Sequence, residues 1–211
     1  MFGATFYQPN KVVHNFEGNF ILGNIFDRES NCIEKTRKIL ASGFKAVVLE
    51  NIKGAKYLKL LVNLNNSIPA ILGKSMQEVF SDLDLAKLAI KLNKEAFNII
   101  IKSNIELESL PTYPKERIQG LVNMPIDEAA SLISKIMTNL STEPLYGSIL
   151  QSIKRKRKSE IDYINGEIVH LAIANGLKAP LNKKIVELVH KVEKNNKFFT
   201  KQELVSEIKK V

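Results

Sequence analysis

The 211 residues include one cysteine, Cys32, and no tryptophan. One thiol cannot close an intramolecular disulfide, and a cysteine-rich zinc site is excluded with it. The ten glycines include no two separated by a single residue. A dinucleotide loop needs Gly-x-Gly-x-x-Gly between a strand and its helix so that backbone can approach the pyrophosphate, and no such run occurs, nor does a P-loop. No apolar run approaches the roughly 20 residues that span a bilayer. Met1-Phe-Gly-Ala-Thr-Phe-Tyr7 has no basic stretch ahead of an apolar core, so it does not read as a signal peptide.

What is present is ordinary globular composition, with 45% hydrophobic and 25% charged residues. That is enough apolar material for one fair-sized domain, or one domain with a smaller attachment. The bulk reading is a soluble cytoplasmic protein. Only the formal net charge of +9 stands out; it admits a polyanionic partner or a lysine-rich surface.

The pattern predicts a mainly α protein with a small β-rich N-terminal part. Strands are expected at Gly3–Tyr7, Lys11–Asn15, Asn19–Asn24 and Phe44–Leu49, with a helix capped by Ser30 or Asn31 and running to Leu40. From Asn51 onward helical periodicity takes over, with helices near 52–70, 81–103, 126–138, 148–157, 159–175, 181–195 and 200–210. Leu110-Pro-Thr-Tyr-Pro-Lys115 is the clearest loop. Ser159 and Asp162 have capping-box spacing for the 159–175 helix; Gly176 and Pro180 end it. Gly166 within that helix predicts a close approach of another helix.

Lys59, Asn63 and Asn66 fall at i, i+4 and i+7, on one helix face. A lysine and two carboxamides in line suit a carbonyl or carboxylate; a plain solvated face has the same pattern. Two Glu-x-x-His pairs, Glu167/His170 and Glu187/His190, have the spacing of di-metal helix bundles. Both histidines lie off the apolar stripes of their helices, which argues against inward-facing ligands. Lys154-Arg-Lys-Arg-Lys158 is the most basic stretch. Without interleaved aromatics it reads as a solvated helix end or loop rather than a base-stacking surface, with attraction of an anionic substrate or cofactor phosphate as a secondary role. Cys32 reads as structural.

Lys59-Leu-Leu-Val-Asn63-Leu-Asn-Asn66, Ser148-Ile-Leu-Gln-Ser, Glu160-Ile-Asp-Tyr-Ile-Asn-Gly166 and Gly176-Leu-Lys-Ala-Pro180-Leu-Asn182 occur in that order. In order and spacing they resemble the substrate-binding half of ketopantoate reductases (2-dehydropantoate 2-reductases). Asn65 stands where one branch of that family has glycine, and Ser67 where another branch has its second asparagine. Gly3 to Gly23 resembles the sheet edge that closes the family's nucleotide domain.

The resemblance implies an all-helical, 6-phosphogluconate dehydrogenase-like C-terminal domain at 51–211. It also implies that residues 1–50 are the truncated remnant of a Rossmann domain, with roughly a hundred residues absent from the front. An exposed sheet edge would follow, and with it a homo-oligomer or a complementary nucleotide-binding chain. The resemblance makes Lys59 the catalytic residue and assigns substrate binding to Asn63, Asn66, Ser148 and Glu160. Ketopantoate is the implied substrate and NADPH the implied cofactor, although this chain has no loop to bind it. The competing reading is a non-catalytic module that binds a small acid or a partner protein. Nucleic-acid binding ranks below both; neither a metal nor a membrane is expected.

Overall fold

The computed structural model describes residues 3–8, 10–16, 18–25, 31–141 and 143–211. They form two compact units, one of residues 1–59 with 107–115 and the other of residues 60–106 with 116–211.

The first unit is where the strands lie. β1 (Gly3–Gln8) and β2 (Lys11–Phe16) pair antiparallel, with Phe6 opposite Val12 and Gln8 opposite Lys11. Asn10 takes the left-handed conformation (φ +67°) in the connecting turn, a role its short side chain tolerates. β3 (Phe20–Leu22) and β4 (Ala46–Val48) pair parallel, Phe20 opposite Ala46. Parallel neighbours need a crossover, and α1 (Asn31–Ala41) supplies it, giving a βαβ unit. Phe20 and Phe44 meet edge to face at 5.2 Å. Gly23 allows the chain to close on the next helix: a Cβ there would lie 2.3 Å from the Ile52 Cβ and 2.7 Å from the Leu49 carbonyl oxygen.

α2 (Ile52–Asn63) begins in the first unit and continues into the second. One 3-10 turn (Leu64–Asn66) joins it to α3 (Ser67–Leu72), so the expected helix over 52–70 is three segments in one unbroken path. Leu58, Leu61, Leu64 and Ile68 are fully buried along it. Gly73, left-handed at φ +69°, ends the path, and the Phe198 ring lies over it.

The second unit is helical throughout. α4 (Met76–Phe80) has a full capping box, Ser75 with Glu78. α5 (Leu83–Lys102) starts on the Asp82 carboxylate, which accepts the amides of Asp84 and Leu85. Leu85, Leu88, Ala89, Leu92, Ala96 and Ile99 bury it, and α4, α7 (Ile126–Thr138), α9 (Asn165–Ala174) and α10 (Pro180–Asn195) pack against it. α6 (Lys115–Asn123), α8 (Ser148–Lys154) and α11 (Lys201–Ile208) complete the set. Neither α4 nor α6 was anticipated by the helical periodicity. No helix among the described residues is long and apolar enough to cross a membrane.

Residues 159–175 are not continuous: a 3-10 turn (Ile161–Tyr163) comes first, and α9 starts only at Asn165. The capping box fails because both of its groups are engaged elsewhere. The Ser159 amide donates to Glu193, and Asp162 bonds His190. Ile164, at φ −111° and ψ −89°, separates the two segments. Gly166 is not explained by a neighbouring helix either. The nearest atoms to a Cβ there are the Ile161 carbonyl oxygen at 3.4 Å and the Asp162 Cβ at 3.6 Å, both in the turn just before it.

Candidate functional site

The 3-10 turn at Leu64–Asn66 aligns the polar face of the long helical path. In α-helix, residues three apart are offset around the axis; in a 3-10 turn they eclipse. Asn63 and Asn66 are therefore brought into line, both half-buried. Lys59 precedes Asn63 by one turn on the same helix, and it is exposed. Behind the turn, Asn65 points inward. Asn65 and Asn93 are 3% and 0% exposed, and the Asn93 Nδ2 donates to the Asn65 Oδ1 at 2.9 Å. A buried carboxamide without a partner would be costly, so this bond is what allows asparagine at position 65. It also ties the turn carrying Asn66 to α5.

Asn66 faces the segment that leads into α8. A Cβ on Gly147 would lie 3.1 Å from the Cβ, Cγ and Oδ1 of Asn66. Glycine is used here for closeness, because its φ of −65° suits any residue. The segment itself is fastened by Gln77. Its Nε2 donates to the carbonyls of Ser141 and Glu143, and its Oε1 accepts the Leu145 amide at 2.9 Å. The Leu145 carbonyl in turn accepts the Met76 amide at 2.8 Å.

Ser148 opens α8, and its Oγ donates to Glu160 Oε1. Both side chains are exposed. Asn66, Gly147, Ser148 and Glu160 are thus linked within the second unit, a carboxamide on one side and a serine–carboxylate pair on the other. Such a set offers donors and acceptors to the carboxylate and hydroxyl of a small acid.

Glu160 is held from behind by a clamp. Glu193 accepts the Ser159 amide at 2.8 Å and bonds His190 Nδ1 at 2.8 Å, while His190 Nε2 bonds Asp162 at 2.8 Å. Burial favours neutral His190, but its bonds to Glu193 and Asp162 outweigh this and raise its pKa. Burial acts on Glu193 in the opposite sense, and the Ser159 and His190 hydrogen bonds hold its pKa below the usual carboxylate range. His190 therefore serves two carboxylates on either side of the 160–163 turn. Among the described residues, no group of histidine, cysteine and carboxylates is arranged to hold a metal ion.

A second support lies deeper. Asn165 and Asn182 are fully buried, and Asn165 Nδ2 donates to Asn182 Oδ1 at 2.9 Å. The Glu95 carboxylate accepts the Asn182 side-chain amide at 2.9 Å and the backbone amides of Leu181 and Asn182 at 3.0 and 2.8 Å. An α5 carboxylate thus caps α10 in place of the missing N-cap side chain. Asn165 and Asn182, each within one of the sequence blocks, are joined to each other rather than to solvent.

The sequence placed Ser148, Glu160, Asn63 and Asn66 as candidates, but not the residues that hold them: Asn93, Glu95, Gln77, His190 and Glu193. For Asn93 a signal exists, since it interrupts an otherwise apolar face of α5. Gln77 and Glu193 are indistinguishable from surface residues until the chain is folded.

Residues 51–193 match the family model described as ketopantoate reductase PanE/ApbA C terminal. The 2-dehydropantoate 2-reductase of Pyrococcus horikoshii is 28% identical over 182 residues, 85% of this chain and 54% of that protein. That of Archaeoglobus fulgidus is 25% identical over 194 residues, covering 91% and 58%. The chain spans about half the length of the curated relatives it matches. Among solved structures, a D-mandelate dehydrogenase complex with NADH is 26% identical with a TM-score of 0.71, covering 92% of this chain and 60% of that one. A PanE/ApbA family ketopantoate reductase from Ralstonia eutropha has a TM-score of 0.70 at 19% identity, covering 92% and 58%, which speaks to fold alone.

Proposed function

Because the chain belongs to the ketopantoate reductase family through its C-terminal domain, we propose that it is the keto-acid-binding half of a 2-dehydropantoate reductase. The observation that carries this reading is the link of Asn66, Gly147, Ser148 and Glu160 in the second unit.

In this reading residues 51–211 form the substrate domain and residues 1–50 the end of a nucleotide-binding domain. The chain contains no Gly-x-Gly pair, so its residues do not fit a dinucleotide, and the nicotinamide is held by residues outside this sequence. The chain's own share of the chemistry is binding and proton supply. On binding, the single Ser148 hydroxyl proton turns from Glu160 to the carboxylate of ketopantoate, and Glu160 accepts from the substrate hydroxyl instead. Asn63 and Asn66 orient the carbonyl and neighbouring oxygens. Lys59 Nζ stands as the acid for the oxygen of the carbonyl being reduced. A positioned proton donor contributes about 10²–10⁴ in rate, and a cation at a developing oxyanion about 10²–10³ where water is excluded. The working assembly is a homo-oligomer or a complex with a complementary nucleotide-binding chain.

The test is direct titration of the purified chain with ketopantoate and, separately, with NADPH. The reading expects ketopantoate to bind and NADPH not to. NADPH binding by the chain alone would refute the assignment of the cofactor to residues outside this sequence. Failure to bind ketopantoate would leave the non-catalytic, partner-binding module as the better account.

A further inference from the structure

Resting on the keto-acid reading, we infer that the basic stretch Lys154–Lys158, from the end of α8 into the following loop, is an electrostatic collector that draws a small carboxylate to the adjoining site. The expected helix over 148–157 stops at Lys154, and the next four residues form a loop. All five cations are exposed. Lys154 Nζ sits 4.0 Å from the centroid of the Tyr146 ring, while Arg155, Lys156, Arg157 and Lys158 form no ion pair among the described residues. The loop is closed at its base by the hydrogen bond between Ser148 and Glu160, the two residues assigned to the ligand. From Ser148 to Glu160 the chain carries five cations against one carboxylate.

Two observations separate this from an ordinary solvated helix end. A helix C-terminus carries about half a negative charge, which one lysine balances; four further unpaired cations are in excess of that need. The loop also places a lysine where glycine is the inexpensive residue. Lys156 has φ +55°, its amide donates to the Ile153 carbonyl at 2.8 Å, and the Arg157 amide donates to the Ser152 carbonyl at 2.9 Å. That is a Schellman C-cap with lysine at the left-handed position. The backbone strain is carried by a side chain whose distinguishing property is its charge.

A unit charge about 10 Å away in water changes the affinity for an anion about twofold, and salt screens it over about 8–10 Å. Neutralising three charges then costs about five- to tenfold at low salt and little at high salt. The experiment is NMR titration of ketopantoate, of its neutral amide and of inorganic phosphate into the full chain, at low and high salt. The wild type is compared with the triple variant Lys156→Gln, Arg157→Gln, Lys158→Gln and with Lys156→Gly.

The expected result is about five- to tenfold weaker ketopantoate binding by the triple variant at low salt, no loss at high salt, and no effect on the amide. Lys156→Gly should melt at a higher temperature while binding ketopantoate about twofold more weakly, so lost binding is not lost folding. Ketopantoate binding with the same affinity and salt dependence in wild type and triple variant overturns the collector and leaves the keto-acid site standing. No binding by either protein overturns both. Phosphate that binds the loop more tightly than ketopantoate overturns the assignment to a carboxylate.

Discussion

Ser148 and Glu160 lie twelve residues apart in sequence and meet through a single exposed hydrogen bond. Exposed polar pairs contribute little to stability, so Ser148→Ala and Glu160→Gln should each shift the unfolding free energy by less than about 1 kcal/mol. Their effect belongs to ligand binding, and calorimetric titration with ketopantoate should show weakening in both. A large drop in melting temperature for either would recast the pair as structural. Asn182 contrasts with them. Truncation to alanine leaves buried Asn165 and the Glu95 carboxylate short of a donor or acceptor, a loss of about 1–3 kcal/mol measurable by denaturant unfolding. The sequence distinguishes these two classes poorly. Ser148 and Asn182 both appear as polar residues in recognisable blocks, and only burial tells which faces a ligand and which holds the core.

At the level of elements, two turns govern the site. Gly147→Ala pushes a methyl into Asn66 at 3.1 Å; it should lower keto-acid affinity with a stability change under about 1 kcal/mol. Gly73→Ala is harsher, because its φ is +69° and the Phe198 ring would be 2.6 Å from the new Cβ. About 2–4 kcal/mol of destabilisation is expected, read by thermal unfolding. The His190 clamp gives the 160–163 turn a pH dependence. A raised His190 pKa contributes stability that is complete below the ordinary histidine value and is lost as pH rises through the folded value. A lowered Glu193 pKa contributes stability present above the ordinary glutamate value and lost as pH falls through the folded one. The clamp is therefore fullest between about pH 4.5 and 6.5. NMR titration should put the His190 midpoint above the ordinary histidine value, and His190→Ala should remove the loss of stability at rising pH while Glu193 keeps its hydrogen bond from Ser159. A midpoint at or below that value would remove the clamp from the account.

Helix ends signalled by local chemistry were legible: Gly176 is left-handed at φ +66° just past α9, and α7 spans 126–138 as its periodicity implies. The break within 159–175 was not legible because its capping residues bond to α10, a partner the local sequence does not name.

For the molecule as a whole, charge and exposed apolar surface set the behaviour. The βαβ unit of β3, α1 and β4 sits in the first unit, and several of its apolar side chains are exposed, Ile39 at 73% and Phe44 at 56%. The family and the helical character were readable from ordered sequence blocks because each block fixes a local turn or cap. The internal polar pairs Asn65–Asn93 and Asn165–Asn182 were not, since each joins residues 28 and 17 positions apart. That this chain is the keto-acid-binding half of a reductase is tested by titrating ketopantoate into it without nucleotide, followed at the Asn66, Ser148 and Glu160 resonances. Saturable shifts at those residues, weakened in Glu160→Gln, are expected. Ketopantoate that leaves them unmoved, or moves them equally in Glu160→Gln, would refute that role.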